Sequence, residues 1–405
     1  MPVEFSDIEA AAERIKSRVI YSPCPPSVPL SVATGLNVCC KLEYLQRTGS
    51  FKERGACNAL QLLSPEQQRR GVIAASAGNH ALGVTYHGKL LGIPVTVVMP
   101  RQAALTKVVN CQQMGATVIL HGNNYEEARL RATQLASEKG FTLIHGYDDL
   151  AVIAGQGTMA LEILAQVPDL DAIIIPIGGG GLIAGMALAI KTVKPSVTVI
   201  GVEPDRATSF VASLKAGKPV DVAIKPTLAD GLAISRVGKN AFEIARKYVD
   251  RVVVVRERDI ALAVLRLVEL EKAVVEGAGA APLAACLAGL VPELAGRKVV
   301  LPLCGGNIDT TILGRILERG LASDGRLCRF SATISDRPGG LAQFAALIAD
   351  EGASIVDIAH DRAFANEDIS TVAVHCVVET RNFQHIAALR SRLIKEGFEV
   401  VFPSG

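Results

Sequence analysis

The chain contains no tryptophan, and aromatic residues make up only 4% of its 405 positions. So few rings exclude the base-stacking platforms that hold single-stranded nucleic acid. Charge is also scarce, at 20% of residues with a formal net of +2. That balance provides no basic footprint for nucleic acid or for an anionic membrane. No uninterrupted apolar run reaches the roughly 18 residues of a membrane-spanning helix. The stretch from Met1 to Glu9 is acidic and lacks the apolar centre of a signal peptide. The nine cysteines (Cys24, Cys39, Cys40, Cys57, Cys111, Cys286, Cys304, Cys328 and Cys376) include no CxxC pair. Their odd number and irregular spacing read as reduced thiols in a cytoplasmic protein. What is abundant is apolar. A hydrophobic content of 49% predicts large buried cores and little disorder.

The length allows two or three domains at roughly 100–200 residues each. Between about 35 and 320, short β-branched runs alternate with alanine- and leucine-rich helical patterns. Gly71–Ala75, Val95–Val98, Thr117–Leu120, Ala172–Ile175, Val197–Ile200 and Lys298–Leu301 read as strands, with Cys39 and Cys40 in an earlier one. Continuous apolar strands between helices predict an α/β fold with parallel sheets covered on both faces. Around Leu321–Gly325 the pattern breaks into a polar stretch suited to a linker. Beyond it, strands at Arg329–Ile334, Ala353–Arg362, Ser370–Glu379 and Glu399–Phe402 alternate with helices at Leu341–Glu351 and Phe383–Glu396. That β-α-β-β-α-β series of about 75 residues suits a small ferredoxin-like module.

Four short segments could carry chemistry. Ser50-Phe51-Lys52-Glu53-Arg54-Gly55 sets a lysine between an aromatic ring and a glycine at a helix start. A lysine amine captures carbonyls when its surroundings favour the neutral form; otherwise it is ordinary surface charge. Ser76-Ala77-Gly78-Asn79-His80 follows a strand, and its exposed N–H groups and amide suit a carboxylate, unless Ser76 or Asn79 is merely a helix cap. Gly178-Gly179-Gly180-Gly181 after a strand lets the backbone curl round a phosphate. With Ala184 and Glu203 this run also satisfies a loose dinucleotide fingerprint, so a nicotinamide-dependent oxidoreductase competes on that motif alone. Leu303-Cys304-Gly305-Gly306-Asn307 places a thiol after a strand, where a buried structural cysteine is the alternative.

The four segments occur in the order found in fold-type II pyridoxal-phosphate enzymes. Over roughly residues 5–320 the chain resembles the threonine dehydratase (threonine ammonia-lyase) family, with Ser50-Phe51-Lys52-x-Arg54-Gly55-Ala56 its most specific signature. The C-terminal part, with Asp336-Arg337-Pro338-Gly339-Gly340-Leu341 at its first strand-to-helix turn, resembles an ACT domain. The resemblance implies a catalytic domain over 1–320, its smaller lobe at about 50–145 inserted in the larger. It further implies a linker at 321–327 and an ACT regulatory domain at 328–405. It assigns Lys52 as the residue that holds pyridoxal 5'-phosphate covalently and later serves as general base, with Phe51 near the ring. Asn79 would meet the cofactor's 3-hydroxyl, and Gly178, Gly179, Gly180 and Gly181 its phosphate. Cys304 would face the pyridine nitrogen, and Ser76, Ala77, Gly78, Asn79 and His80 would receive the substrate carboxylate.

The implied reaction is β-elimination of L-threonine to 2-oxobutanoate and ammonia, with L-serine to pyruvate weaker, in isoleucine biosynthesis or threonine catabolism. A threo-3-hydroxyaspartate or serine ammonia-lyase, or a racemase, of the same family is the alternative. Related serine racemases carry a second serine where this chain has Ala77, which disfavours racemisation. The same relatives bind a divalent cation at positions matching Glu203, Ala207 and Ser209, so one carboxylate is missing here and no metal is expected. An amino-acid effector at the ACT domain and a homodimer or homotetramer complete the expectation.

Overall fold

The computed structural model describes residues 3–361 and 370–402. Arg362, at the end of one expected strand, and the last three residues of the expected 328–405 domain lie outside these. The strands are β1 (Asn37–Lys41), β2 (Val72–Ala75), β3 (Val95–Met99), β4 (Thr117–Leu120), β5 (Thr142–Leu143), β6 (Ala172–Pro176) and β7 (Thr198–Pro204). They continue with β8 (Arg251–Val255), β9 (Lys298–Pro302), β10 (Leu327–Ser335), β11 (Ser354–Asp361), β12 (Thr371–Glu379) and β13 (Glu399–Val401).

Three sheets result. The first is parallel, in the order β1-β9-β6-β7-β8, and the second is parallel, in the order β4-β3-β2-β5. The chain leaves the first sheet after β1, builds the second, and returns at β6. Every residue of β2, β3 and β6 is buried, because helices cover both faces and leave no side for polar alternation. The edge strand β4 exposes both of its ends. Each sheet has its own core, one around Ile173, Ile175, Val199 and Val300 and one around Val72, Ala74, Val95 and Val97.

The third sheet is antiparallel, β11-β12-β10-β13, with β10 alternating buried and exposed residues because one face alone is packed. Its core gathers Phe330, Phe344, Val374, Leu389 and Leu393. The chain divides into two compact units at Asp309/Thr310. That differs from the expected boundary at 320 and linker at 321–327. The helix Thr310–Ser323 buries Ile316 and Gly320, one turn apart on one face, and so carries regular structure through the start of the polar stretch.

Within the first unit one buried charge cluster ties three elements together. Arg54, in the helix Lys52–Gln61, has no exposed surface. Its Nε and Nη2 donate to the Glu43 carboxylate at 2.8 and 2.6 Å, and Nη1 and Nη2 donate to Glu162 at 2.7 and 2.9 Å. Lys41, at the end of β1, donates to Glu162 at 2.6 Å and to the Ser22 carbonyl at 2.5 Å. Burial alone opposes all of these charges, but Arg54 outweighs it and holds the Glu43 carboxyl below the usual range. Glu43 in turn holds the guanidinium firmly protonated. Two cations and two carboxylates cancel, and removing one strands the others in a low-dielectric interior. Glu43→Ala should therefore destabilise the unit by about 3–5 kcal/mol in urea unfolding; a loss under about 1 kcal/mol, the range of exposed pairs, would contradict this account.

Candidate active site

Lys52 is the first residue of its helix, and the turn before it is pinned from several sides. The Phe51 N–H donates to the Cys304 carbonyl at 3.0 Å, and Ser50 bridges to Gly305. Glu53 accepts the Thr48 N–H at 2.9 Å. Gly49 has φ +75°, and a Cβ there would run into the Asn307 amide, so both conformation and space demand glycine. The lysine is thereby aimed inward. Its Nζ donates to the Gly146 carbonyl at 2.6 Å and lies 5.3 Å from the centre of the Phe51 ring. Burial pulls the amine down to about 8, partly offset by the nearby Cys304 and Glu276.

The loop that receives this amine also braces the glycine run. Next to Gly146, the Tyr147 ring packs so closely on Gly179 that a side chain there would overlap it, and the Tyr147 backbone does the same at Gly181. Gly178 lies against Gly231 and Leu232, where an added Cβ would come within 3.0 Å of the Gly231 carbonyl oxygen. Gly180 adopts φ +93° and starts the helix Gly181–Val193, which has no side-chain cap. An apolar 13-residue helix with an uncapped N-terminus is suited to an anion.

The Ser76–His80 loop follows β2. The Ser76 hydroxyl accepts the Gly78 N–H at 3.1 Å, and Gly78 faces open space with nothing within 4 Å of an added Cβ. The helix Asn79–Leu91 begins there, also without a side-chain cap. His80 turns away from that opening. Its ring is buried, Nε2 lies 2.9 Å from the Ile144 carbonyl, and burial lowers it to about 3, so it stays neutral. That contact holds the strand of chain that presents Gly146 to Lys52.

Asn79 donates through Nδ2 to Glu276 at 2.7 Å and accepts on Oδ1 from Asn307 Nδ2 at 2.9 Å. Glu276 is buried, and burial raises its carboxyl to about 7, with Asp230 adding to the effect. The Cys304 thiol is buried, donates to the Pro302 carbonyl at 3.4 Å, and is held well above its usual pKa by burial and by the Glu43 and Glu276 carboxylates. It is a neutral group. Gly146, Tyr147 and Glu276 are the residues the motifs did not single out, whereas Asn307 closes the Leu303–Asn307 segment. A lone acid in the apolar run Val274-Val275-Glu276-Gly277-Ala278 was the available signal for one of them.

Glu203 has another task. Both its oxygens accept backbone N–H groups, from Phe210 at 2.7 Å and Val211 at 2.9 Å, capping the helix Ser209–Ala216. No cluster of three or more His, Cys, Asp or Glu able to hold a metal occurs among the described residues. Among the same residues no helix is long and apolar enough to cross a membrane.

A depressed lysine amine, two uncapped helix N-termini and a neutral thiol are groups whose chemistry suits a carbonyl, an anion and an unprotonated ring nitrogen. Residues 15–305 match the family described as "Pyridoxal-phosphate dependent enzyme", and the chain belongs to that family. It is 42% identical to an L-threonine ammonia-lyase of Thermotoga maritima, over 98% of this chain and 99% of that one. It is 45% identical to an L-threonine ammonia-lyase of Geobacter sulfurreducens, over 98% of each. The processed form of threonine deaminase isoform 2 from Solanum lycopersicum superposes with a TM-score of 0.74 at 36% identity, covering 78% of this chain and 91% of that one.

The residues fit pyridoxal phosphate on their own chemistry. The amine suits its carbonyl, the glycine turn its phosphate, and the thiol a ring nitrogen that is not held protonated. The Ser50 Oγ and His80 Nδ1 near the amine are buried without a partner in the chain. With the amine at about 8, the cofactor-free protein should show Lys52 half-reactive toward an amine-modifying reagent near pH 8. The reactive fraction should rise with pH, because the neutral form is the nucleophile. A midpoint near the ordinary lysine value, about 10.4, would contradict the burial argument.

Proposed function

We propose that this protein is an L-threonine ammonia-lyase, converting L-threonine to 2-oxobutanoate and ammonia and acting more slowly on L-serine. The observation that carries the reading is the inward-facing Lys52 amine, lowered to about 8 and opposite a loop with open space at Gly78. Full-length likeness to two proteins of that name supports the choice of substrate.

Pyridoxal phosphate, when bound, supplies the electron-withdrawing centre that acidifies Cα and lets the β-hydroxyl depart. Lys52 would hold it, and Phe51 would flank the ring. Asn79 would donate to its 3-hydroxyl, Gly178 to Gly181 would take its phosphate, and Cys304 would meet its ring nitrogen. The chain's own groups do the rest. The N–H groups from Ser76 to His80 hold the substrate carboxylate at a helix N-terminus. The lysine amine, neutral in a large fraction near pH 8, takes the Cα proton. Gly146 keeps that amine from swinging away. Ala77 offers no hydroxyl on the opposite face, so a proton lost from Cα is not returned there. Elimination is favoured over inversion. A thiol with a high pKa would leave the cofactor's ring nitrogen without a charged partner, which would favour prompt departure of the hydroxyl.

The second unit is read as an ACT domain that binds a small amino-acid effector in a homodimer or homotetramer, the catalytic lobes occupying the first. The role read for the enzyme is isoleucine biosynthesis or threonine catabolism, in the cytoplasm.

Borohydride reduction of the yellow protein should bleach it and label Lys52, and Lys52→Ala should abolish 2-oxobutanoate formation while leaving the fold. Turnover retained in that variant would refute the role. Isoleucine or valine should shift the activity of the full chain, and a chain ending at Asp309 should keep turnover and lose the shift. An equal response in both would show the effector to bind elsewhere.

A further inference from the structure

We infer that Glu276 is the positioning residue that fixes the Asn79 amide, so that an N–H rather than a carbonyl oxygen is turned toward the cofactor. The inference rests on the cofactor reading of the site given above and adds to it a residue with no contact to substrate.

An asparagine amide can flip end for end at little cost unless its neighbours distinguish oxygen from nitrogen. Here they do. Asn307 Nδ2 donates to the Thr48 carbonyl at 2.7 Å, and a carbonyl can only accept. The same nitrogen donates to Asn79 Oδ1 at 2.9 Å, which sends the Asn79 nitrogen the other way. There it meets Glu276 Oε1 at 2.7 Å, an oxygen that only accepts whenever the carboxyl is ionised, as it is above about pH 7. The row therefore runs between two acceptors, with both amides directed by its ends. One Nδ2 hydrogen of Asn79 is spent on Glu276. The second is left for the site.

Glu276 is itself held in place. Its N–H donates to the Gly305 carbonyl at 2.9 Å, and a Cβ on Gly305 would lie 3.1 Å from its carboxyl carbon. The charged groups facing it are Lys52, Asp230 and Lys107, the last two paired at 3.5 Å, with the neutral Cys304 thiol alongside. Thr48 lies four residues before Lys52, so the row also joins the cofactor's two anchors. An amide set at one end by the lysine turn and at the other by a carboxylate is registered to the amine it works beside.

Glu276→Gln keeps an oxygen acceptor without charge, whereas Glu276→Leu removes the acceptor. Titration of the cofactor-free proteins with pyridoxal phosphate, followed by visible absorbance, gives the dissociation constant. Visible circular dichroism per bound cofactor reports its orientation. We expect E276L to weaken binding about tenfold or more, as loss of a hydrogen bond to a charged group implies, and to change the dichroism as Asn79→Ala does. E276Q should stay within about threefold of the parent, one oxygen acceptor replacing another. The double variant E276L/N79A should bind no worse than N79A alone, because both act through one contact. Additive losses in the double variant would overturn the inference, as would an E276Q protein no better than N79A. Should E276L fail to fold, the comparison of E276Q with N79A decides alone. A parent protein that takes up no pyridoxal phosphate at Lys52 would instead sink the reading of the site itself.

Discussion

A guanidinium with no exposed surface dictates much of the first unit. Arg54 is held charged in a low-dielectric interior by two carboxylates, Glu43 and Glu162, which come from separate parts of the chain. Glu43 follows the first strand of one sheet, and Glu162 sits in the helix Leu150–Gln166 that packs under both lobes. Satisfying both fixes the helix Lys52–Gln61 in rotation and depth. Two residues earlier on that helix, Lys52 inherits the placement. A buried ion cluster is weak evidence of net stability, because desolvation offsets its attraction. Its use here is positional: the helix sits where Arg54 reaches both carboxylates and Lys41 shares one of them.

The amine's altered behaviour follows from where that helix puts it. Burial removes the water that favours an ammonium, and the single carbonyl of Gly146 replaces only part of that solvation. Gly146 is in place because His80 ties the preceding turn at Ile144 and because Tyr147 packs on Gly179. The glycine turn and the amine are thus held by adjacent residues of one loop. Widening that loop would move both. Glycine at 179 and 181 is required by the approach of Tyr147, which adds a packing reason to the conformational one read from the sequence.

The parts of this arrangement that were legible in the chain are those with local signatures. Fully buried parallel strands appear as short apolar runs, and all six of those read from the pattern lie within two sheets, extended by a residue or more in β3, β6, β7 and β9. The lysine turn, the Ser76–His80 loop and the four glycines are contiguous and could be read directly. Glu276 could not, because its partner Asn79 lies 197 residues away and no spacing rule joins an acid in an apolar run to an amide at a distant helix start. Tyr147 was hidden for the same reason. The linker was expected at 321–327 because polar residues near 321–325 break the strand-and-helix pattern, whereas the apolar spacing at Ile316 and Gly320 carries a helix through to Ser323.

Glu203 and Glu276 show why burial alone does not identify a working carboxylate. Both are buried, and burial raises both to about 7. Each also ends a buried stretch facing a helix N-terminus. What separates them is the partner. Glu203 gives each oxygen to a backbone N–H at the start of a helix, groups whose direction the backbone already sets. Glu276 spends one oxygen on a side-chain amide that has a second hydrogen to offer, within reach of the Lys52 amine's field. A backbone donor cannot pass its orientation on, whereas a side-chain donor can. The same desolvated acid is therefore a structural end point in one place and a positioning group in the other, and the difference lies in whether the atom it holds still has a valence free to face the site.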